Sequence, residues 1–367
     1  MRVLILSCNT GQGHNSAAKA VKEEFESRGH ICEIKNALSF ISRIADEVIS
    51  DGHVFVYRRF PKLFGVGYRF EERHSPKFIC SQLRRGVGRL KEYLEQNPVD
   101  AIVCTHVFGA IMVNELKKTS NLNAHLSLIS TDYTCCPGSL ESGADTYFIP
   151  HPKLVQEFVS NGIDREKIVP FGIPVASQFF VSETKAKARI ALGLSQTKRI
   201  VLVGGGSMGC GPIVRLSYLL SKKMPSDIVI VLCGTNSKLQ QKIDDLSRSN
   251  IITVPYTKKM SLYLDAADVY LSKAGGLTTA ESIIKQIPLV FINAVPGCET
   301  RNIDFMTSNG YAAAAFSPEE AVDRAFYALC HPETVGNGIS VCRRALADNP
   351  AKAICDFISE QVKLKNG

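Results

Sequence analysis

"VLILSCNTGQGHNSAAKAV", residues 3–21, decides the fold. Val3-Leu4-Ile5-Leu6 is an apolar run of strand length, Gly11-Gln12-Gly13 is a tight turn, and residues 16–28 carry a helical apolar pattern. A strand that empties into a glycine turn and a helix is half of a βαβ unit. The pattern recurs, with strands expected at 31–34, 101–105, 126–130, 146–149 and 168–170 and helices between them. After Phe171-Gly172-Ile173-Pro174 and a helical stretch at 183–194, a second series follows at 200–203, 228–233, 251–254, 269–272 and 289–292. The fold class is therefore α/β, with two doubly wound, Rossmann-like domains joined near Pro174. Such sheets bind ligands at the carboxyl ends of their strands, so the site is expected in a central cleft between facing ends.

The 367 residues suffice for two cores, and 45% apolar with 21% charged residues describes an ordinary globular chain. The best apolar run, 99–113, is interrupted by Asp100 and His106 and falls short of the roughly 18 residues a membrane span needs. Met1-Arg2 leads straight into a strand with no secretory core, so a cytoplasmic location is expected. The twelve cysteines are scattered as reduced thiols would be. Adjacent Cys135-Cys136 lacks the gap of a zinc knuckle, and no metal is expected.

The net charge of +8 is concentrated. Between Asp51 and Lys91 ten Lys/Arg, among them Arg58, Arg59 and Arg69, stand against three acids, interleaved with aromatics that include Phe60 and Phe64. That mixture suits an anionic membrane surface, with cations on headgroups and rings in the interface. A solvated helical face over core aromatics is the plainer alternative. Nucleic acid is not expected, since no recognition motif accompanies the charge.

Three glycine stretches carry the candidate chemistry. Gly11-Gln12-Gly13-His14-Asn15-Ser16 lacks the third glycine of a dinucleotide fingerprint and the lysine of a P-loop. It presents an imidazole at a helix start, which either removes a proton from an alcohol or closes the turn. Gly204-Gly205-Gly206-Ser207-Met208-Gly209 follows another strand and offers amides and a hydroxyl to a diphosphate, or close packing. In Lys273-Ala274-Gly275-Gly276-Leu277-Thr278-Thr279-Ala280-Glu281, the Glu281 carboxylate can accept two hydrogen bonds from a ribose diol or simply favour a helix N-terminus. Glu299, Arg301 and Asn302 open one more helix, suited to several sugar hydroxyls or to ordinary capping.

In order, "GQGH", "STDYT" (130–134), "YFIPHPKLVQEFVSNGIDREKIVPFGIPV" (147–175), "GGGSMG", "SKAGGLTTAE" and "PGCETRN" resemble the monogalactosyldiacylglycerol synthase and processive diacylglycerol glucosyltransferase family, a branch of glycosyltransferase family 28. The resemblance implies a GT-B fold. Residues 1–174 would take the acceptor and the membrane, 175–345 the UDP-sugar, and a helix within 346–367 would return to the first domain. It places Gly13, His14 and His106 on the acceptor side, the diphosphate on Gly206, Ser207, Met208 and Gly209, the uracil by Tyr256 and Thr257, the ribose on Glu281, and the donor sugar on Glu299 and Asn302. Lys273, Gly275, Gly276, Leu277, Thr278 and Arg301 fall in the same donor motifs. The sequence departs from the family after the Asp132 motif, where relatives carry a histidine or bulky aromatics and this chain has Cys135-Cys136-Pro137. It has no tryptophan, and Ala274 replaces a common proline.

The implied activity is inverting transfer of a hexose from UDP-glucose or UDP-galactose to diacylglycerol or a related lipid, at the inner face of the cell membrane. No Asp-x-Asp motif is present to hold a divalent cation, and no cofactor is expected. His14 is the expected base, with Asp132 as rival or as the group that orients it. Transfer to another lipid-linked acceptor, UDP-sugar 2-epimerisation and non-catalytic UDP-sugar binding are the alternatives.

Overall fold

Parallel strands are covered on both faces and therefore read as unbroken apolar runs. The computed structural model, which describes residues 1–9, 12–41, 77–206, 209, 211–294 and 297–366, contains two such sheets. In chain order the first six strands are β1 (Arg2–Ser7), β2 (Ile31–Asn36), β3 (Ala101–Cys104), β4 (His125–Ile129), β5 (Thr146–Phe148) and β6 (Ile168–Val169). They pair in the order β2-β1-β3-β4-β5-β6, all parallel. The second six are β7 (Ile200–Gly204), β8 (Ile228–Gly234), β9 (Ile251–Pro255), β10 (Val269–Lys273), β11 (Leu289–Asn293) and β12 (Ala313–Ala314), in the order β12-β11-β10-β7-β8-β9.

Each order reverses once. The chain leaves β1 for β2 and then returns to the other side of β1 with β3, and it does the same at β7 and β10. At these points successive crossovers run to opposite faces and leave a crevice at the carboxyl ends, where open α/β sheets hold ligands. The helix that follows β1 carries His14 near its start and the turn after β3 carries His106; the turns after β7 and β10 carry Gly206 and Gly275.

The chain clusters into two compact units. The first holds Met1–Ser177, Val295–Cys298 and Leu346–Gly367, and the second Gln178–Ala294 and Glu299–Ala345. Within the first, the terminal helix Pro350–Asn366 buries Ile354, Cys355, Ile358 and Val362, one stripe at helical spacing, among Val3, Ile5, Val21 and Phe25. Arg28 fastens it by pairing with Asp356 at 2.5 Å. Gly172, at φ +104°, lies against Pro350 and Leu346, a backbone shape and a closeness that a side chain would oppose.

The second unit contains a fully enclosed ion pair. Lys285 Nζ lies 2.8 Å from Asp265 Oδ2, the two side chains being 0% and 5% exposed, and it also donates to the Val181 carbonyl at 2.7 Å. The pair thereby ties the segment entering this unit to the helix Gly276–Lys285.

Three local features differ from the sequence expectation. The first helix runs from Gln12 to Ser27, so Gly13 and His14 lie in its first turn; periodicity placed the start at 16 because its buried apolar residues begin only at Ala17. The helix after β7 starts at Ile213, beyond Pro212, and so does not begin on the Gly206 turn. The two-residue edge strand β12 is two alanines, which carry little strand propensity.

Candidate active site

In the first unit, residues from three neighbouring strand ends meet at His14. Its half-buried imidazole places Nδ1 2.8 Å from the Thr105 carbonyl oxygen, just past β3, and 2.9 Å from Thr131 Oγ1, just past β4. A carbonyl only accepts, so Nδ1 carries a proton and donates it. In the neutral ring this leaves Nε2 with the lone pair. Burial lowers the His14 pKa, while the Asp132 charge and the Thr105 hydrogen bond work to raise it. The His106 ring stands edge-on to His14 at 4.8 Å between centroids. His106 also caps the helix Val107–Thr119, its Nδ1 accepting from Phe108 N at 3.2 Å. Gly109, three residues on, allows that helix close to β1: a Cβ there would sit 2.8 Å from Leu6 Cβ.

The loop that presents Thr131 and Asp132 is held by a residue the sequence reading did not single out. Glu157 accepts from the Thr134 hydroxyl at 2.5 Å and from the Cys135 amide at 2.8 Å. Its only sequence signal is its place inside the 147–175 motif. Buried His151, in the same motif, caps the turn Pro152–Leu154 by accepting from Lys153 N, and burial lowers its pKa to about 4. Asp132, Cys136 and Cys298 each place one ligand atom within 4.8 Å of the others. Two thiols and a carboxylate fall one short of the four ligands of a structural zinc site.

In the second unit, Gly206 adopts φ +72°, and a Cβ on it would meet Lys273 Cε at 2.8 Å. The methylene stem of Lys273 is thus laid against the β7 turn, and its ammonium pairs with Glu299. Gly275 starts the helix Gly276–Lys285 without a side-chain cap, which leaves the first amides, including those of Leu277 and Thr278, pointing out of the helix end. Glu281 lies one turn further. Burial raises its carboxyl to about 8, and no hydrogen bond reaches it among the described residues. Fully buried Asn302 donates through Nδ2 to the Ala274 carbonyl at 2.9 Å and so braces this turn.

Not all candidates gather there. Tyr256, 63% exposed, and Thr257 follow the outer strand β9, two strands from β7, and Thr257 Oγ1 accepts from Lys259 N. Gly209, at φ +60°, packs toward Leu239. Arg301 is exposed. Arg58, Arg59, Phe60, Phe64, Arg69, Ser207 and Met208 lie outside the described residues.

These features sit on a chain whose halves match two family profiles in order: monogalactosyldiacylglycerol (MGDG) synthase over residues 14–175, then the glycosyltransferase family 28 C-terminal domain over 200–296. The chain belongs to the monogalactosyldiacylglycerol synthase branch of glycosyltransferase family 28. Within that family it is 22% identical to the processive diacylglycerol beta-glucosyltransferase of Staphylococcus aureus over 361 residues, covering 96% of this chain and 91% of that one. The Staphylococcus saprophyticus protein of the same name is also 22% identical, over 329 residues, 88% of this chain and 83% of that one. The fold is GT-B. The Acinetobacter baumannii MurG structure superposes at a TM-score of 0.66 with 14% identity, covering 98% and 99% of the two chains. Spinosyn rhamnosyltransferase SpnG superposes at 0.68 with 12% identity, covering 97% and 100%. The protein is a glycosyltransferase of this family.

Proposed function

We propose that this family 28 member moves a hexose, with inversion, from UDP-glucose or UDP-galactose to diacylglycerol, working from the cytoplasmic side on an anionic membrane surface. The observation that carries the reading is the His14 environment: an imidazole at the β1/β3 switch point whose Nδ1 is engaged, so that Nε2 is the nitrogen able to take a proton. In this account Nε2 accepts the proton of the lipid hydroxyl as its oxygen forms the bond to the anomeric carbon. The bond from that carbon to the diphosphate breaks on the opposite side, and UDP leaves with the electron pair.

The departing charge needs positive potential. Lys273 and the outward amides at the start of Gly276–Lys285 can supply it without a divalent metal ion. Half-buried Glu281, with its carboxyl raised by burial and its hydrogen-bonding capacity unspent among the described residues, suits a ribose diol, which satisfies the carboxyl without first requiring it to ionise. No helix among the described residues is long and apolar enough to cross a membrane. The basic aromatic segment between residues 51 and 91, most of which lies outside the described residues, carries the charge and rings suited to contact with the lipid surface.

The test is incubation with radiolabelled UDP-glucose, UDP-galactose and UDP-N-acetylglucosamine over diacylglycerol vesicles in EDTA, followed by lipid separation. Label from UDP-glucose or UDP-galactose in a glycosyldiacylglycerol is expected. Label confined to water-soluble products would replace this reading with UDP-sugar epimerisation or binding.

A further inference from the structure

We infer that Thr131 is a positioning residue for His14: its hydroxyl oxygen and the Thr105 carbonyl share the Nδ1 proton and hold the ring as the tautomer with Nε2 bare. The inference deepens the reading of His14 as base and rests on it. The geometry leaves little choice. Thr105 contributes a backbone oxygen, which cannot donate, at 2.8 Å; with Nδ1 already donating, Thr131 Oγ1 at 2.9 Å takes part as acceptor. Both threonines are buried, at 1% and 8% exposure, so neither contact is readily exchanged for water.

The arrangement spans three adjacent strands. His14 rides on the helix after β1, and its two acceptors come from the ends of β3 and β4. Asp132 and His106 are the other titratable groups that face the ring, the first through its charge and the second edge-on. As Nε2 takes a proton, the ring becomes an imidazolium and its Nδ1–H a stronger donor, so two waiting acceptors stabilise the charge that develops. A neutral hydroxyl and an amide carbonyl here do the orienting that a carboxylate does in a Ser-His-Asp triad.

The test combines 15N-histidine NMR of the resting full-length protein, with His14 assigned by its loss in His14→Ala, and transfer kinetics. Wild type is expected to carry the neutral-form proton on Nδ1. Thr131→Val, which keeps the shape and deletes the hydroxyl, should let the Nε2-protonated form grow and lower kcat about tenfold, with KM for the UDP-sugar unchanged. Thr131→Ser should restore both. A wild-type His14 protonated on Nε2, or a Thr131→Val enzyme with undiminished kcat, overturns the inference. The NMR readout needs no turnover, so an absence of lipid transfer would defeat the functional reading and leave the tautomer decided separately.

Discussion

His14→Ala is expected to lower hexose transfer to diacylglycerol about a thousandfold at saturating donor and lipid, within the range that a positioned general base contributes. The loss should fall on kcat, because the side chain acts on the reacting hydroxyl while the donor contacts proposed here lie in the second unit. The pH profile supplies a second, signed readout. A base must be neutral to work, and burial holds the His14 pKa below its ordinary value of 6.5. Wild-type kcat should thus stay level as pH falls toward that value and decline only below it; an acid limb centred above it would be inconsistent with the observed burial. In His14→Ala the residual rate should lose this limb. Circular dichroism of the variant should match wild type, since the half-buried ring contributes little to the core.

The largest expected effect on stability lies elsewhere, at Asp265. Removing the carboxylate leaves the Lys285 ammonium, 0% exposed, with the Val181 carbonyl but no counter-charge. Stranding one member of an enclosed pair costs about 3–5 kcal/mol. Asp265→Ala should lower the melting temperature by roughly 10 °C, on the scale of 2–4 °C per kcal/mol for domains of this size. The double variant Asp265→Leu/Lys285→Met should recover most of the loss, because the penalty comes from an uncompensated charge and not from a missing attraction. Scanning calorimetry checks both. A single variant as stable as wild type would show that the lysine finds solvent or another partner.

The sequence exposes the sheets because buried parallel strands can hardly be anything except runs of Val, Ile and Leu. Every strand of three or more residues among those described falls within a residue or two of its expected place, although β5 (Thr146–Phe148) contains none of the three and β2 (Ile31–Asn36) is interrupted by polar residues. Glycine turns at the ends of β1, β7 and β10 likewise mark the two switch points, since close passage of backbone favours glycine whatever the ligand. What holds the candidate base is less legible. Thr105 contributes a main-chain oxygen, 91 residues from His14, and main-chain oxygens have no residue preference to read. Thr131 is 117 residues away, and Glu157 acts by bracing a loop. Asn302, read as a sugar ligand, donates to the Ala274 carbonyl, a contact that only the crossing of its helix over the β10 turn creates.

The most direct measurement is a crystal structure with UDP bound in the presence of EDTA. The account predicts the nucleotide on the second sheet, its ribose at Glu281 and its diphosphate at the turn after β10 beside Lys273, with the His14 pocket left to the acceptor. UDP seated against His14 and Thr131 at the β1/β3 switch point, or binding that requires an added divalent cation, would contradict it.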